Sequence, residues 1–184
     1  MSNEREKVLS VEAVNSYLEY NKKVALKTAV GTILCILSPL LLMVLSILTD
    51  ESFLLVSPTV SSVIGLSVLF IMVIIAVILF MTSFFSKEKY EYIFEENFML
   101  DESVLETVKN NRKKTNNKYN CLVLIGVILC ILSPIPLIIV SFFDNIYLVL
   151  IALCLLFLTV SVAVYFFVYT STITEGFSKI LKLK

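Results

Sequence analysis

The sequence predicts an all-α, polytopic membrane protein whose four transmembrane helices form two helical hairpins that repeat each other in parallel. Hydrophobic residues make up 58% of the 184 positions and charged residues only 16%, whereas a soluble domain carries about 25% charge. Four stretches are almost free of charge and long enough to cross a bilayer core about 30 Å thick. One line of seven residues, ILCILSP, also occurs twice.

The four apolar stretches are predicted to be helices, because a lone strand in lipid leaves its backbone groups unsatisfied. A buried soluble bundle would need charged helix faces, which these stretches lack. They cover residues 28–48, 53–85, 119–143 and 146–173. Within the second stretch, Ser57 and Pro58 predict the helix start, since serine caps helices and proline fits the first turn. This helix is expected to continue toward Lys87. The first stretch is full length without a cleavage pattern and is therefore interpreted as an uncleaved span.

The distribution of charge predicts the orientation. All 15 lysines and arginines lie before the first span, between the second and third, or after the fourth. The short connections around Asp50 and Asp144 contain none. Because basic residues are retained in the cytoplasm, we expect a multi-pass protein of the bacterial plasma membrane with both termini cytoplasmic. The expected organisation is a cytoplasmic N-terminal segment (1–23), a first transmembrane hairpin (24–86), a cytoplasmic amphipathic linker (87–118), a second transmembrane hairpin (119–174) and a cytoplasmic tail (175–184).

The duplicated line predicts the internal symmetry. Residues 33–39 and 128–134 are identical, and ten of the nineteen positions from 28 to 46 match the residues found 95 positions later. An even number of spans separates the two lines, so the hairpins are expected to be parallel repeats about an approximate twofold axis along the membrane normal. Two such hairpins would form a four-helix bundle.

Each copy of the line places a proline inside an apolar run. Pro39 is expected to kink its helix and free the carbonyl of Cys35, and Ser38 is well placed to satisfy the freed group. Gly31 and Cys35 form a small-x-x-x-small pair, so spans one and three are expected to meet, or to pack on their neighbours, along these faces. Two interpretations stay open: packing alone, or a hinge or shallow site. The candidate kink and packing residues are Gly31, Cys35, Ser38, Pro39, Gly126, Cys130, Ser133, Pro134 and Pro136, the last a second break that the first copy lacks.

The central segment from 86 to 118 changes to a polar composition. Asp101 is predicted to cap a helix whose Val104 and Val108 share one face. The basic residues that follow, Arg112, Lys113 and Lys114, are candidate cytoplasmic docking residues. They indicate either ordinary flanking charge beside an interfacial helix pair, or a surface for a partner or anionic lipid. Seven acidic residues in the same segment make direct binding to nucleic acid unexpected, since phosphate binding needs a basic face.

Several kinds of chemistry are not expected. The sequence has no histidine, which excludes histidine-based catalysis and histidine metal sites. No P-loop or nucleophile elbow occurs, and no charged residue lies mid-span. Cys35, Cys121, Cys130 and Cys154 are interpreted as small buried side chains, with a disulfide between Cys35 and Cys130 as the alternative. We therefore expect no enzyme, no cofactor and no metal.

Three segments carry a resemblance: YLEYNKKVALKTAVGTILCILSP, KYEYIFEENFMLDESVLETVKNNRKK and IGVILCILSPIPLII. They resemble the membrane module of a group of Gram-positive bacterial regulators, in which the module follows an N-terminal helix-turn-helix DNA-binding domain of the Cro/repressor type. The resemblance covers residues 11–177. It implies the four-helix fold and a bacterial inner membrane, and it supplies no catalytic residues. About ten residues precede the module here, too few for a DNA-binding domain.

These observations favour a non-enzymatic membrane sensor or regulatory subunit that acts through protein–protein contacts in or at the membrane. Its expected partners are membrane lipids and either further copies of itself or a helix-turn-helix regulator. The alternative is a transporter component or an oligomeric, channel-like or immunity-type membrane protein. A structural scaffold is a third hypothesis.

Overall fold

The computed structural model describes residues 7–50, 57–85, 90, 93, 98–143 and 145–182. In this part of the chain the protein is built from helices, as the sequence predicts. They are α1 (Val11–Asp50), α2 (Pro58–Phe85), α3 (Glu102–Leu132), α4 (Ile135–Val140) and α5 (Ile146–Leu181). Four segments are long and apolar enough to cross a membrane: α1, α2, α5, and α3 together with α4.

Two three-residue strands, β1 (Lys7–Leu9) and β2 (Phe98–Leu100), were not expected from the sequence. They pair in parallel, with Lys7 opposite Phe98 and Leu9 opposite Leu100. Because β1 lies just before α1 and β2 just before α3, their pairing brings the starts of these two helices to the same end of the molecule.

The helices pack around two central members. Helix α1 contacts both α2 and α5, and α5 also contacts α3 and α4. Under the expected twofold axis, α3 would pack on α2 as α1 packs on α5. No such packing is among the extensive contacts of the described helices. The observed bundle therefore has α1 and α5 in the middle, with α2 and α3 flanking them.

The long helices extend well beyond a bilayer. At 1.5 Å per residue, the 40 residues of α1 and the 36 of α5 span about 60 and 54 Å, against a hydrocarbon core of about 30 Å. The excess collects at one end, where the beginnings of α1 and α3 and the end of α5 pack together. We call this assembly, with β1 and β2, the head. Its buried apolar residues are Leu9, Val14, Tyr17, Leu18, Ala25, Ile93, Val104, Val108, Tyr119, Ile173, Phe177 and Ile180.

Outside the head, the large apolar side chains mostly lie on the surface. Ile131 is 66% exposed and Ile146 is 65% exposed, which is the arrangement expected where lipid, and not protein, covers the helix. The positions buried between helices in this region are small, for example Gly31, Ala76 and Ala163. Small residues at these contacts let the helix backbones approach closely.

The predicted start of the second span is confirmed. Helix α2 begins at Pro58, and the backbone N–H of Ser61 donates to the carbonyl of Ser57 at 3.1 Å. The helix ends at Phe85, and Lys87 lies outside the described residues.

The central segment differs from its predicted form in two ways. Helix α3 runs from Glu102 to Leu132, so no helix end separates the predicted linker from the third span. The predicted cap by Asp101 is wrong in detail: the residue takes the cap position, but its carboxylate accepts a hydrogen bond from Ser103 Oγ at 2.9 Å. A nearby hydroxyl competes with the backbone for such a carboxylate. Val104 and Val108 do share a buried face, which packs inside the head.

Candidate functional site

Both proline motifs contain the hydrogen bond that the sequence predicts. Ser38 Oγ donates to the carbonyl of Cys35 at 2.9 Å, and Ser133 Oγ donates to the carbonyl of Cys130 at 2.9 Å. In each case the accepting carbonyl lies four residues before the proline and lacks its usual helical donor. The serine hydroxyl therefore compensates for the proline at both places.

The backbone path differs between the two motifs. Pro39 lies inside α1, which continues to Asp50. In the second copy, α3 ends at Leu132 and the chain passes through Pro134 before α4 begins. Pro136 lies in the first turn of α4, so the two prolines share one break, between Leu132 and Ile135, and the separate second break expected from Pro136 is not observed. One motif is thus part of a continuous helix and the other separates two helices.

Gly31 marks the contact between the helices of the first hairpin. It lies against α2, where a Cβ added to it would be 3.0 Å from Phe80 Cε1 and 3.4 Å from the carbonyl oxygen of Ala76. The aromatic ring fills the space above the glycine, so a larger residue there requires the ring to move.

Gly126 makes the equivalent contact in the second hairpin. A Cβ added to it would be 2.9 Å from Phe167 Cε1 and 3.3 Å from the carbonyl oxygen of Ala163, both on α5. The close approach predicted for these glycines therefore occurs within each hairpin. Spans one and three do not pack extensively on each other, so of the two expectations only packing on neighbours is observed.

The cysteines and prolines of the motifs face away from these contacts. Cys35, Pro39 and Pro134 are exposed and Cys130 is half-buried. The interpretation of Gly31 and Cys35 as one small-x-x-x-small face is confirmed for Gly31 alone, because the glycine lies against α2 whereas Cys35 is exposed. Ser38, seven residues after Gly31, is the second buried position on that side.

The expected burial of the cysteines is also wrong. Cys35 and Cys121 are exposed, Cys130 and Cys154 are half-buried, and all four are free thiols, so Cys35 and Cys130 form no disulfide. In a membrane bundle an apolar side chain on the protein surface is covered by lipid, so a small hydrophobic residue need not be in the protein core to avoid water.

A second repeated line explains why the two glycine contacts match. Residues 64–80 and 151–167 are identical at eight of seventeen positions, among them the alanine and the phenylalanine that contact each glycine. Their offset is 87 and not 95, because the first hairpin has the longer connection between its helices. A search at a fixed offset misses this similarity, whereas a search that allows the offset to change would find it.

In the head, Asn21 joins α1 to α5. Its Nδ2 donates to the carbonyl of Thr172 at 2.9 Å, and its side chain lies directly on Gly176, where no Cβ would fit. Asn21 is itself buried. This contact was not predicted, because nothing in the sequence shows that residues 155 positions apart are neighbours.

Aromatic rings attach the central segment to the same part of α1. Tyr90 stacks on Tyr20 with ring centroids 4.7 Å apart and meets the edge of Tyr17 at 5.9 Å. Burial, together with smaller contributions from the Glu175 carboxylate and Tyr20, raises the pKa of Tyr17 to about 12. The Tyr17 hydroxyl is therefore uncharged at neutral pH.

The candidate docking residues lie on the outside of the head. Arg112, Lys113 and Lys114 are exposed on the half of α3 that belongs to the head. They share no contact with the proline motifs, which lie in the apolar part of the bundle. The sequence-predicted residues thus form two separate regions, one in the apolar part of the bundle and one on the head surface.

Comparison of the chain with protein-family models, with curated proteins and with solved structures finds no match. The resemblance to membrane-bound regulators stays a prediction.

Proposed function

We propose that the protein is a non-enzymatic membrane sensor or regulatory subunit that acts through protein–protein contacts at the membrane of a bacterial cell. The observation that carries this proposal is the continuity of its helices. Without interruption, α1 and α5 lead from apolar, membrane-length stretches into one packed head, and α3 leads into the same head from the part of the third stretch that precedes Pro134.

Because these helices extend from the bilayer into the head, a movement of a helix in the bilayer also moves its end in the head. Packed interfaces do not deform gradually, so a shift of one helix against another in the bilayer is passed to the rest of the rigid element. Each of the three helices contributes buried residues to the head core, for example Val14, Val108 and Ile173. A rearrangement at the Gly31 or Gly126 contact would therefore change the shape of the head.

The positive-inside rule supports a cytoplasmic head. The described residues of the head come from both ends of the chain and from the central segment, and the sequence has all 15 lysines and arginines in these three segments. A cytoplasmic partner would meet the exposed residues Arg112, Lys113 and Lys114. The resemblance makes a helix-turn-helix regulator the first candidate for this partner, with a second copy of the chain as the next. DNA contact would be indirect, through the partner.

Affinity purification of the tagged full chain from native membranes tests this function. We expect a helix-turn-helix regulator to co-purify, and replacement of Arg112, Lys113 and Lys114 by alanine to reduce its recovery at least severalfold. The matched control replaces Lys22, Lys23 and Lys27, which are exposed on α1, and should leave recovery unchanged. Absence of any regulator, or equal loss in both triple variants, would contradict the proposal.

The transporter or channel alternative requires an oligomer. The four apolar stretches contain no charged side chain at mid-span, and such charges usually mark the path of an ion or proton. Flux assays in proteoliposomes separate the two functions: impermeable vesicles are expected for the regulatory subunit, and protein-dependent flux would favour the alternative.

A further inference from the structure

An open groove runs between α3 and α5 where these helices leave their apolar stretches. It has a volume of about 660 Å³ and is lined by Asn116, Asn120, Val123, Phe167, Thr170, Ser171, Thr174, Glu175 and Ser178. The residues on α3 recur at helical spacing, and so do those on α5, so two facing helix stripes form the walls. None of them belongs to the predicted docking residues.

The polarity of the groove changes along its length. At the head end lie Glu175, Ser178 and Asn116, and at the opposite end lie Val123 and Phe167. The same order, from charged through hydroxyl and amide groups to apolar, is the order met along a phospholipid from its headgroup to its acyl chains. The groove also lies beside the predicted membrane boundary, since the third apolar stretch begins at 119 and the fourth ends at 173.

One polar group at the groove has no hydrogen-bond partner among the residues that the structure describes. Thr170 is 6% exposed, and within the described residues its Oγ1 is buried without a hydrogen-bond partner. A buried hydroxyl in this state costs free energy, and a group bound in the groove would offset this cost once the Thr170 side chain turns toward it. Thr174 Oγ1, one turn further along, already donates to the carbonyl of Thr170 at 2.8 Å.

We propose that this groove binds a phospholipid whose headgroup carries hydroxyl groups, with phosphatidylglycerol as its simplest example. Carboxamides and hydroxyls both donate and accept hydrogen bonds, which suits a glycerol headgroup that does the same. Glu175 is the one carboxylate in the lining, and Lys179 Nζ lies 2.8 Å from its Oε1, so its charge is balanced. A headgroup ammonium therefore has little to attract it there.

Arg112 supplies a cation for the lipid phosphate. Arg112 lines a narrow crevice, too small to hold a water molecule, that shares Asn116 and Thr174 with the groove. A guanidinium group pairs with phosphate oxygens through parallel hydrogen bonds. Arg112 is thus placed beside the polar end of the groove, where a phosphate would lie when the acyl chains pass Val123 and Phe167.

The test is lipid titration of the delipidated full chain in detergent, with bound lipid counted by native mass spectrometry. Phosphatidylglycerol is expected to bind at least about fivefold more tightly than phosphatidylcholine or phosphatidylethanolamine with the same acyl chains. Water-soluble glycerol 3-phosphate should not displace it at equal concentration. Equal binding of the three lipids, preference for the ethanolamine lipid, or displacement by glycerol 3-phosphate would each overturn the assignment.

Variants locate the binding. Thr170→Val removes the hydroxyl and keeps the shape, and it should weaken phosphatidylglycerol binding by about three- to tenfold. Thr172→Val is the matched control, since this hydroxyl donates to the carbonyl of Val168 at 2.9 Å and does not line the groove. Ser171→Ala and Asn120→Ala change exposed residues, so their effect does not depend on folding. If the Ser171→Ala and Asn120→Ala variants bind phosphatidylglycerol as tightly as the wild type, the groove is not the site. The same follows if Thr172→Val weakens phosphatidylglycerol binding as much as Thr170→Val does.

Discussion

At the scale of single residues, the joint between Asn21 and Gly176 couples the two central helices. A buried carboxamide in the head donates to a backbone carbonyl of α5, and it lies there only because position 176 has no side chain. The glycine is therefore needed for close approach, and the helical conformation of the backbone does not itself require it.

Gly176→Ala should destabilise the protein by about 1–3 kcal/mol, the usual range for overpacking a tight interface. The added methyl overlaps the Asn21 side chain, which must leave and lose its hydrogen bond to Thr172. Equilibrium unfolding in detergent measures the change. In the Asn21→Ala background the same substitution should cost much less, because its clash partner is gone. If the losses in free energy of unfolding of the two single variants simply add in the double variant, Asn21 and Gly176 do not make the contact described.

The serine beside each proline has a measurable role. Ser38→Ala should cost about 0.5–1.5 kcal/mol, because it leaves the Cys35 carbonyl without a donor. In the Pro39→Ala background the cost should nearly disappear, since residue 39 then supplies a backbone N–H to that carbonyl. Ser67→Ala is the control: its hydroxyl donates to the Val63 carbonyl at 2.8 Å in a helix segment that contains no proline. An equal cost for Ser38→Ala with and without the proline would contradict this explanation.

At the scale of elements, each hairpin is closed by the same contact of a glycine with a phenylalanine and an alanine. The contact distances agree within about 0.1 Å, and the sequences that provide them are similar at two different offsets. These matched contacts support the interpretation that one hairpin is a copy of the other, and the duplication itself stays a prediction. The two glycine contacts also show that helices otherwise covered by lipid need a small residue where they pack against each other.

Gly31→Ala and Gly126→Ala should therefore destabilise the protein to a similar extent, by about 1–3 kcal/mol each. In both variants a phenylalanine ring must move to admit the new methyl. Cys35→Leu is the comparison, because this exposed side chain contacts lipid and should tolerate enlargement. Thermal unfolding in a lipid-like detergent ranks the variants. A Cys35→Leu protein less stable than Gly31→Ala would restore the small-x-x-x-small interpretation that the structure argues against.

Some elements could be predicted from the sequence because they depend on local physics. Length and lack of charge mark the four spans, Ser57 and Pro58 mark the start of α2, and the spacing of Val104 and Val108 marks one helix face. Pairing between distant helices could not be predicted in this way. The contact of Asn21 with Gly176 depends on which helix lies beside α1, and no periodicity in the chain encodes that choice.

At the scale of the whole molecule, the polar segments at the predicted cytoplasmic side form a folded head. The sequence indicates an N-terminal segment, an amphipathic linker and a tail as separate parts. In the structure, the described residues of all three pack together, since the helices continue through the expected boundaries. Burying the shared face of Val104 and Val108 inside the head removes apolar surface from water, which the same face could otherwise do only by lying on the membrane.

The asymmetry of the bundle also belongs to this scale. Two similar hairpins are joined through α1 and α5, while α2 and α3 lie on the flanks. A twofold arrangement would have been the simplest expectation for repeated hairpins. The head gives a physical reason for the difference, because Asn21 and the head core hold α1 against α5 and no equivalent tie holds α2 against α3 within the described residues.

The side of the membrane on which the head lies decides whether a cytoplasmic partner can reach it. In a cysteine-free background, Arg112→Cys should react with a membrane-impermeant maleimide only after the cells are permeabilised. Asn145→Cys, in the connection before α5, should react in intact cells and so control for expression and labelling. Reaction of Arg112→Cys in intact cells would place the head outside the cell and contradict the regulatory function proposed here.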